Sequence, residues 1–573
     1  MMSEENVNPR KLKNQEEFFF TIKKDGNVTT KNAPTVSSSD KNINVFLNGI
    51  LYNNNQQQLI NGFSKSGVDY VKQLEGSFVI FLEQENQLAI LTDKVNSKKA
   101  FYVLLDDIWY ISNNIDALPK DQCSLSLDGL SCYLANGVML NDLTLFQEIK
   151  SATRASIHTI NNDQISITNY WDYYFNYASN SIAKEKDYQK ELESLLVESI
   201  KRRYDTESNT AISLSGGYDC RSILGILREQ LKASNVFCFS YAYLDNPKAG
   251  SDAAVSKTLA IKCGYTHQTI KSYKGDFMTH LTNNANDGKC LANFCDELDA
   301  LETVKASNYL SDVFVGDQCF GWGDYVPLES PQEILDGVLI TGSFGITWLG
   351  QYIAKDTYNK MRQSLAKLCN DLLEKVNGIV DLYDKRDYLY LDQRINHVLM
   401  PWRENFTSKT GIVHNPYLDG DILEFMKKMP PKLRQKKLLF RNTFGSMFPD
   451  LFAIEPATKQ GDDVDLKEEL HKHKDSLILH IQRTDSRLDD LISKKEIIHM
   501  LNRQGSLTQK FSLLAVSVLA MKAYNYLRKK SYFLDKILRV FFGSRLNQNG
   551  KFVNSEKLLL RLLLIRIYLS QTS

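Results

Sequence analysis

Up to about residue 170, apolar and polar positions alternate with a period near two, in short runs such as EFFFTIKKDGNV, NVFLNGILYNNN, EGSFVIFLEQENQLAILTD, AFYVLLDDIWYISNN and ASIHTINNDQISITNYW. Successive side chains of a strand point to opposite faces, so this alternation, broken by Asn, Gly, Asp and Ser, predicts a strand-rich domain with few helices. One helix is expected over Gln57 to Leu74. The rhythm changes after Tyr170-Trp171-Asp172. In YQKELESLLVESIKRRY the apolar residues Leu192, Leu195, Leu196 and Ile200 recur at helical spacing, with Glu and Lys on the other face. From there helices alternate with the β-rich runs AISLS, NVFCFSYA and SDVFVG, the pattern of a parallel sheet with helices on both faces. The boundary falls near residue 175, dividing 1–175 from 176–465. The remainder, 466–573, is helical and increasingly basic, with KKSYFLDKILRVFFGSRL and SEKLLLRLLLIRIYL near its end. These are expected to be packed helices with Arg and Lys at the rim; a tail that touches lipid or a partner helix is the alternative.

Length and composition bound this picture. At 573 residues the chain exceeds one core and implies two to four domains. Lys and Arg (69) balance Asp and Glu (68), so no global polycation argues for nucleic acid. The nine cysteines form neither CxxC pairs nor an even ladder, which points to a reducing compartment and away from a structural zinc. The opening MMSEENVNPRKLKNQ lacks the apolar core of a signal peptide, and no apolar run of about 18 residues occurs. A cytoplasmic location is expected.

The chemistry concentrates in AISLSGGYDCRSILG, residues 211 to 225. Apolar β-formers lead into a small-residue turn and then an apolar helix start. Such a junction offers unpaired N–H groups and the positive end of a helix dipole, and glycines let a polyanion approach the main chain. No Lys follows the glycines, so this is not a P-loop, and the spacing is not GxGxxG. It resembles SGGxD[ST], the pyrophosphate loop of ATP pyrophosphatases, with Cys220 where that pattern has Ser. Taken alone, an ordinary strand-to-helix turn also fits. Cleavage of ATP calls for Mg²⁺, which prefers hard carboxylate oxygens. Asp219 lies in the loop, and Asp317 ends the strand of VFVGDQCFGWGDY, where ligands of open α/β sheets collect; an Asp there can equally be a helix cap.

Over nearly its whole length the chain resembles the asparagine synthetase family. GDQCFGWGDY stands where that family has a GxDExFGGY-like segment, GIVHNPYLDGDILEFMKKMPPKLR resembles the stretch around PFLD, and EPATKQG resembles RxKxGF. Earlier, FLNGILYN resembles FNGEIYN, LEGSFVIFL the LxGxFAF segment, TLFQEIKSA the TxFxGIxxL segment, and NYWDYYF the YW that closes the first domain. The resemblance implies an Ntn-like β-rich sandwich, then a parallel-sheet ATP-pyrophosphatase domain with a helical C-terminal part. It implies ATP and Mg²⁺ as cofactors. Ser213, Ser215, Gly216, Gly217 and Gly316 would contact the nucleotide, main chain near Phe239 the adenine, Asp219 and Asp317 the metal, and Lys459 the negative charge that grows during reaction. Arg434 and Arg441 are weaker candidates for substrate contact.

Three departures qualify what is implied. Met2 stands where glutamine-using members carry Cys, the first cysteine being Cys123; Ile50 replaces the Glu of NGEIYN; and Phe314 occupies the position of a catalytic acid three residues before Asp317. Asn48 and Gly49, the oxyanion pair of active members, are retained as scaffold. The expected activity is therefore ATP-dependent, AMP-forming amide-bond synthesis on a small-molecule or peptide carboxylate, without glutaminase, as in β-lactam synthetases and lasso-peptide cyclases. Glutamine-hydrolysing asparagine synthesis, a tRNA-modifying ATP pyrophosphatase and a non-catalytic scaffold stay open as alternatives, as does association with a partner protein or a second copy.

Overall fold

The computed structural model describes residues 12–23, 27–39, 42–84, 87–161, 164–177, 185–244, 247–307, 312–318, 328, 330–458, 464–503 and 555–570. The expected helical run KKSYFLDKILRVFFGSRL and the candidate Lys459 lie outside the described residues.

The period-two runs form two antiparallel sheets, one of seven strands and one of five. In the strand Ile43–Leu51, Val45 and Leu47 pack toward one side and Phe46 toward the other. Phe46 meets Phe18, Phe20 and Trp109 of the five-stranded sheet, while Val45 and Leu47 meet Leu59 and Phe63 of the helix Gln56–Ser66. Beyond the second sheet, Phe101 and Val103 share a core with Leu130 and Leu134 of the helix Leu127–Asn136. The layers thus run helix, sheet, sheet, helix, each sheet burying both faces. The helix read over Gln57 to Leu74 is an α-helix over Gln56–Ser66 and a 3₁₀ stretch over Gly67–Gln73.

Downstream, five parallel strands are labelled β1 (Thr210–Ser213), β2 (Val236–Ala242), β3 (Thr266–Lys271), β4 (Asp312–Phe314) and β5 (Ile412–His414). Their order is β3-β2-β1-β4-β5. The chain winds outward from β1 to β3, then returns to the other side of β1 for β4 and β5. The direction reverses between β1 and β4, and at such a reversal the loops after two neighbouring strands splay apart and leave a crevice. Five helices are labelled here: α1 (Tyr218–Gly225), α2 (Leu382–Leu389), α3 (Met400–Asn405), α4 (Leu438–Met447) and α5 (Ser555–Ser570). A π-helical stretch, Tyr390–Leu399, joins α2 to α3.

The arginines of α5 depart from the expected rim position. This helix is buried nearly all round, among Leu281 of one domain and Leu130 of the other. Arg566, 1% exposed, donates to both oxygens of Asp489 at 3.0 Å and to the Thr484 hydroxyl at 2.7 Å. Arg561 donates to the carbonyls of Leu134 and Ala135 at 2.8 Å, orphan acceptors at the end of the helix Leu127–Asn136. A guanidinium supplied with carbonyls can lie inside, where a rim lysine could not be satisfied in the same way.

Candidate active site

The loop after β1 is built by tight packing. The Leu214 N–H still bonds the Phe239 carbonyl at 2.8 Å, after which Ser215, Gly216 and Gly217 leave the sheet. A Cβ on Gly216 would stand 2.7 Å from Ala457 Cβ and 3.0 Å from Val255 Cβ, so only glycine fits. Its N–H donates to Asp252 Oδ1 at 3.0 Å, and its carbonyl accepts from Arg221 Nη2 at 3.0 Å. Arg221 is fully buried and also donates to the Leu451 and Ile454 carbonyls, tying loop and α1 to the chain ahead of Thr458. Gly217 caps α1 without a side-chain bond. Cys220 turns inward, its Sγ 3.5 Å from Ser215 Oγ and 3.7 Å from the Ser213 carbonyl, and burial raises its thiol pKa. Tyr417, from the PYLDG segment, donates to the Asp219 carbonyl at 2.5 Å and meets Ser222 Oγ at 2.6 Å.

Each acid is held by a cation. Lys437 Nζ lies 2.9 and 2.8 Å from the two oxygens of Asp219. Arg403 grips Asp317 with Nε at 2.8 Å and Nη2 at 2.9 Å, and Asn415 Nδ2 adds a bond at 3.1 Å. A Cβ on Gly316 would meet Asp219 Cβ at 3.2 Å, so the two acid-bearing loops pack directly together. Burial raises the Asp219 pKa; Lys437 opposes this, while the charge of Asp317 adds to it. Arg403 is held more firmly protonated by Asp317 in spite of its burial. Lys436 (φ 52°) and Lys437 (φ 55°) are both left-handed just ahead of α4, a conformation costly for side-chain-bearing residues that turns Lys437 toward Asp219. A carboxylate offers about four lone-pair sites. Asp219 and Asp317 therefore retain acceptor capacity, and two hard carboxylates fit Mg²⁺, which completes its shell with water and phosphate oxygens. Among the described residues no group of three or more His, Cys, Asp or Glu could hold a metal by itself.

A cleft of about 450 Å³ opens here. Of the residues singled out in the sequence, Ser213, Ser215, Gly316 and Asp317 line it, and Asp219 packs behind Gly316. The Phe239 ring lies in the apolar cluster with Ala211 and Val313 and its carbonyl accepts from Leu214, while the adjoining Ser240 to Tyr243 form the wall of the cleft. Ala457 N–H donates to Gly216 O at 3.4 Å and Thr458 N–H to Gly250 O at 3.1 Å, so the segment leading to Lys459 is docked on the loop. Arg434 is a core residue, paired with Asp384 and Asp387 and set over the Phe175 ring. Arg441 lies 5.0 Å from the Tyr218 ring. Phe314 is fully buried, 5.3 Å from the His414 ring. Lys437, Arg403 and Asn415 were missed. Asn415 lies within the quoted GIVHNPYLDG segment, whereas nothing around Arg403 marked it.

In the first domain, Asn48 Nδ2 donates to the Glu16 carbonyl at 3.0 Å and Ile50 is 3% exposed. Gly49 (φ 125°) has the Ser77 carbonyl 2.0 Å from where a Cβ would stand. A cavity of about 50 Å³ lies between the domains, lined by Gly49, Ile50 and Tyr52 on one side and Arg403, Glu404 and Asn415 on the other.

A family model described as a glutamine amidotransferase domain matches residues 28–171, and one described as asparagine synthase matches residues 191–289. No curated protein matches the chain. Similar solved structures include glutamine phosphoribosylpyrophosphate amidotransferase from B. subtilis complexed with ADP and GMP, at 7% identity over 44% of this chain and 59% of that one, with a TM-score of 0.19. They also include the allosteric regulatory enzyme of purine biosynthesis, at 8% identity over 44% of this chain and 74% of that one, again with a TM-score of 0.19. The chain spans less than two thirds of the length of the first of these. A match to a glutamine amidotransferase domain followed by a match to an asparagine synthase domain supports the domain order of the asparagine synthetase family for this chain.

Proposed function

We propose that the chain forms amide bonds using ATP, through an acyl-adenylate. The observation that carries this is the convergence, at the switch point between β1 and β4, of an SGG loop and an acid-bearing loop on one cleft of about 450 Å³. A substrate carboxylate oxygen attacks the α-phosphorus of ATP, the bond to the bridging oxygen breaks, and pyrophosphate leaves. An amine then attacks the acyl carbon and AMP departs. Activation is needed because a carboxylate is a poor electrophile and AMP a good leaving group.

Ser213, Ser215, Gly216, Gly217 and Gly316 would cradle the phosphates, with the adenine along the strand end from Phe239 to Tyr243. Asp219 and Asp317 would hold Mg²⁺, which when bound neutralises phosphate oxygens. Lys459 would offset the charge that grows on the phosphorus and the tetrahedral carbon. The amine is ammonia or belongs to the substrate itself, since Ile50 replaces a glutaminase glutamate.

ATP–pyrophosphate exchange across candidate acids, aspartate among them, tests this. Exchange should depend on one acid and fall about 100-fold or more in Asp317→Asn, as when a site loses a preorganised charge. No exchange with any acid, together with no ATP binding, overturns the reading.

A further inference from the structure

The first domain holds the helical run from Asp392 to Glu404. Arg154 Nε donates to Asp392 Oδ1 at 2.7 Å, Lys99 Nζ to the Asn396 carbonyl at 3.2 Å and side-chain oxygen at 3.0 Å, and Lys98 pairs with Glu404. Residues 392, 396 and 404 are thus all held from the same domain. The Asn396 contact has a backbone cause. In the π-helical stretch the Met400 N–H bonds the Ile395 carbonyl, five residues back. The next such bond would join residue 401 to Asn396, but Pro401 has no N–H, so the Asn396 carbonyl is left open and the Lys99 amine takes it.

The run ends on the candidate site. Arg403, one residue before Glu404, carries the bidentate grip on Asp317, braced by Thr407 Oγ1 at 3.3 Å and by the Trp402 ring 4.9 Å away. Rotation of α3 about its axis would move both contacts together.

We propose that the amidotransferase-like domain acts as a positioning element for the adenylation site, with Lys98, Lys99 and Arg154 setting the helical run so that Arg403 orients the Asp317 carboxylate. Arg403 and Lys98 are positioning residues: neither is assigned contact with reacting atoms. The inference rests on the proposed ATP and metal site.

The test is a charge swap on the full chain, read as Mn²⁺ affinity by EPR in the presence of ATP. Lys98→Glu and Glu404→Lys should each weaken Mn²⁺ binding about 10- to 100-fold, the usual cost of disturbing a residue that orients a metal ligand. The double variant K98E/E404K should recover most of that loss. Arg403→Lys, which keeps the charge but not the two-point grip, should weaken binding to the same extent. Single variants that bind like the wild type, or a double variant that recovers nothing, overturn the proposal. A wild-type chain that binds neither Mn²⁺ nor ATP instead overturns the metal and nucleotide site itself.

Discussion

Lys99 shows how a single side chain can serve an interface and burden the fold. Its amine lies between domains, where burial lowers its pKa from 10.5 to about 7 although Asp93 and Glu404 pull the other way. Below pH 7 both folded and unfolded chains carry the proton, and the cost of burying that charge is fully present. Between about 7 and 10.5 the unfolded chain still holds a proton that the folded chain has released, so stability rises with pH across that window. Each pKa unit corresponds to about 1.4 kcal/mol, which puts the total at a few kcal/mol. Lys99→Met removes the ionisable group. In denaturant titrations from pH 6 to 10, the wild type should gain on this variant by that amount as pH rises. A constant difference across the range would mean that Lys99 keeps its charge when folded. The neutral amine still donates to the Asn396 carbonyl, so the contact survives its own deprotonation.

At the scale of elements, legibility followed how local the signal was. The strand, glycine turn and helix of residues 211–225 were readable because turn chemistry and apolar pattern lie side by side in the sequence. Asp317 stood out as a candidate because it follows an apolar strand, Asp312–Phe314. Lys437 was not readable, because a backbone strain at Lys436 and Lys437 aims it, and neither residue type announces a positive φ. Arg403 was not, because its partner lies 86 residues away and is reached only through sheet order. The wall beside the strand end near Phe239, formed by Ser240 to Tyr243, follows from the apolar strand that the sequence marks there. Helix α5 misled for another reason: LLLRLLLIRIYL reads as amphipathic and basic until Arg561 and Arg566 are seen to cap carbonyls inside the core. Its side chains bridge both domains, and Leu562 has no exposure at all. Leu562→Ala should lower stability by about 2–5 kcal/mol, the cost of truncating a fully buried leucine. A chain of several domains need not unfold in one step, so the shift is best followed by tryptophan fluorescence and limited proteolysis together. An unchanged midpoint by both would show that α5 is not packed as described.

For the molecule as a whole, two domains share a seam whose small cavity bears on the source of the amine. About 50 Å³ beneath Gly49 and Ile50 accommodates a few waters, each needing roughly 10–15 Å³ on this measure. Around it, Asn48 spends its amide on the Glu16 carbonyl, and Gly49 is fixed by the Ser77 carbonyl that any Cβ would strike. Those contacts give Asn48 and Gly49 a packing role, while Ile50 brings no carboxylate to engage an amino acid. The outer face of the first domain meanwhile grips the run that ends at Arg403. Incubation with glutamine should release no glutamate above the uncatalysed background, with or without ATP and a competent acid. Ammonia or a substrate-borne amine should still support AMP formation coupled to product. Glutamate released in step with AMP would reverse this assignment and make the first domain a working glutaminase, whose ammonia would then have to cross the seam between Ile50 and Arg403.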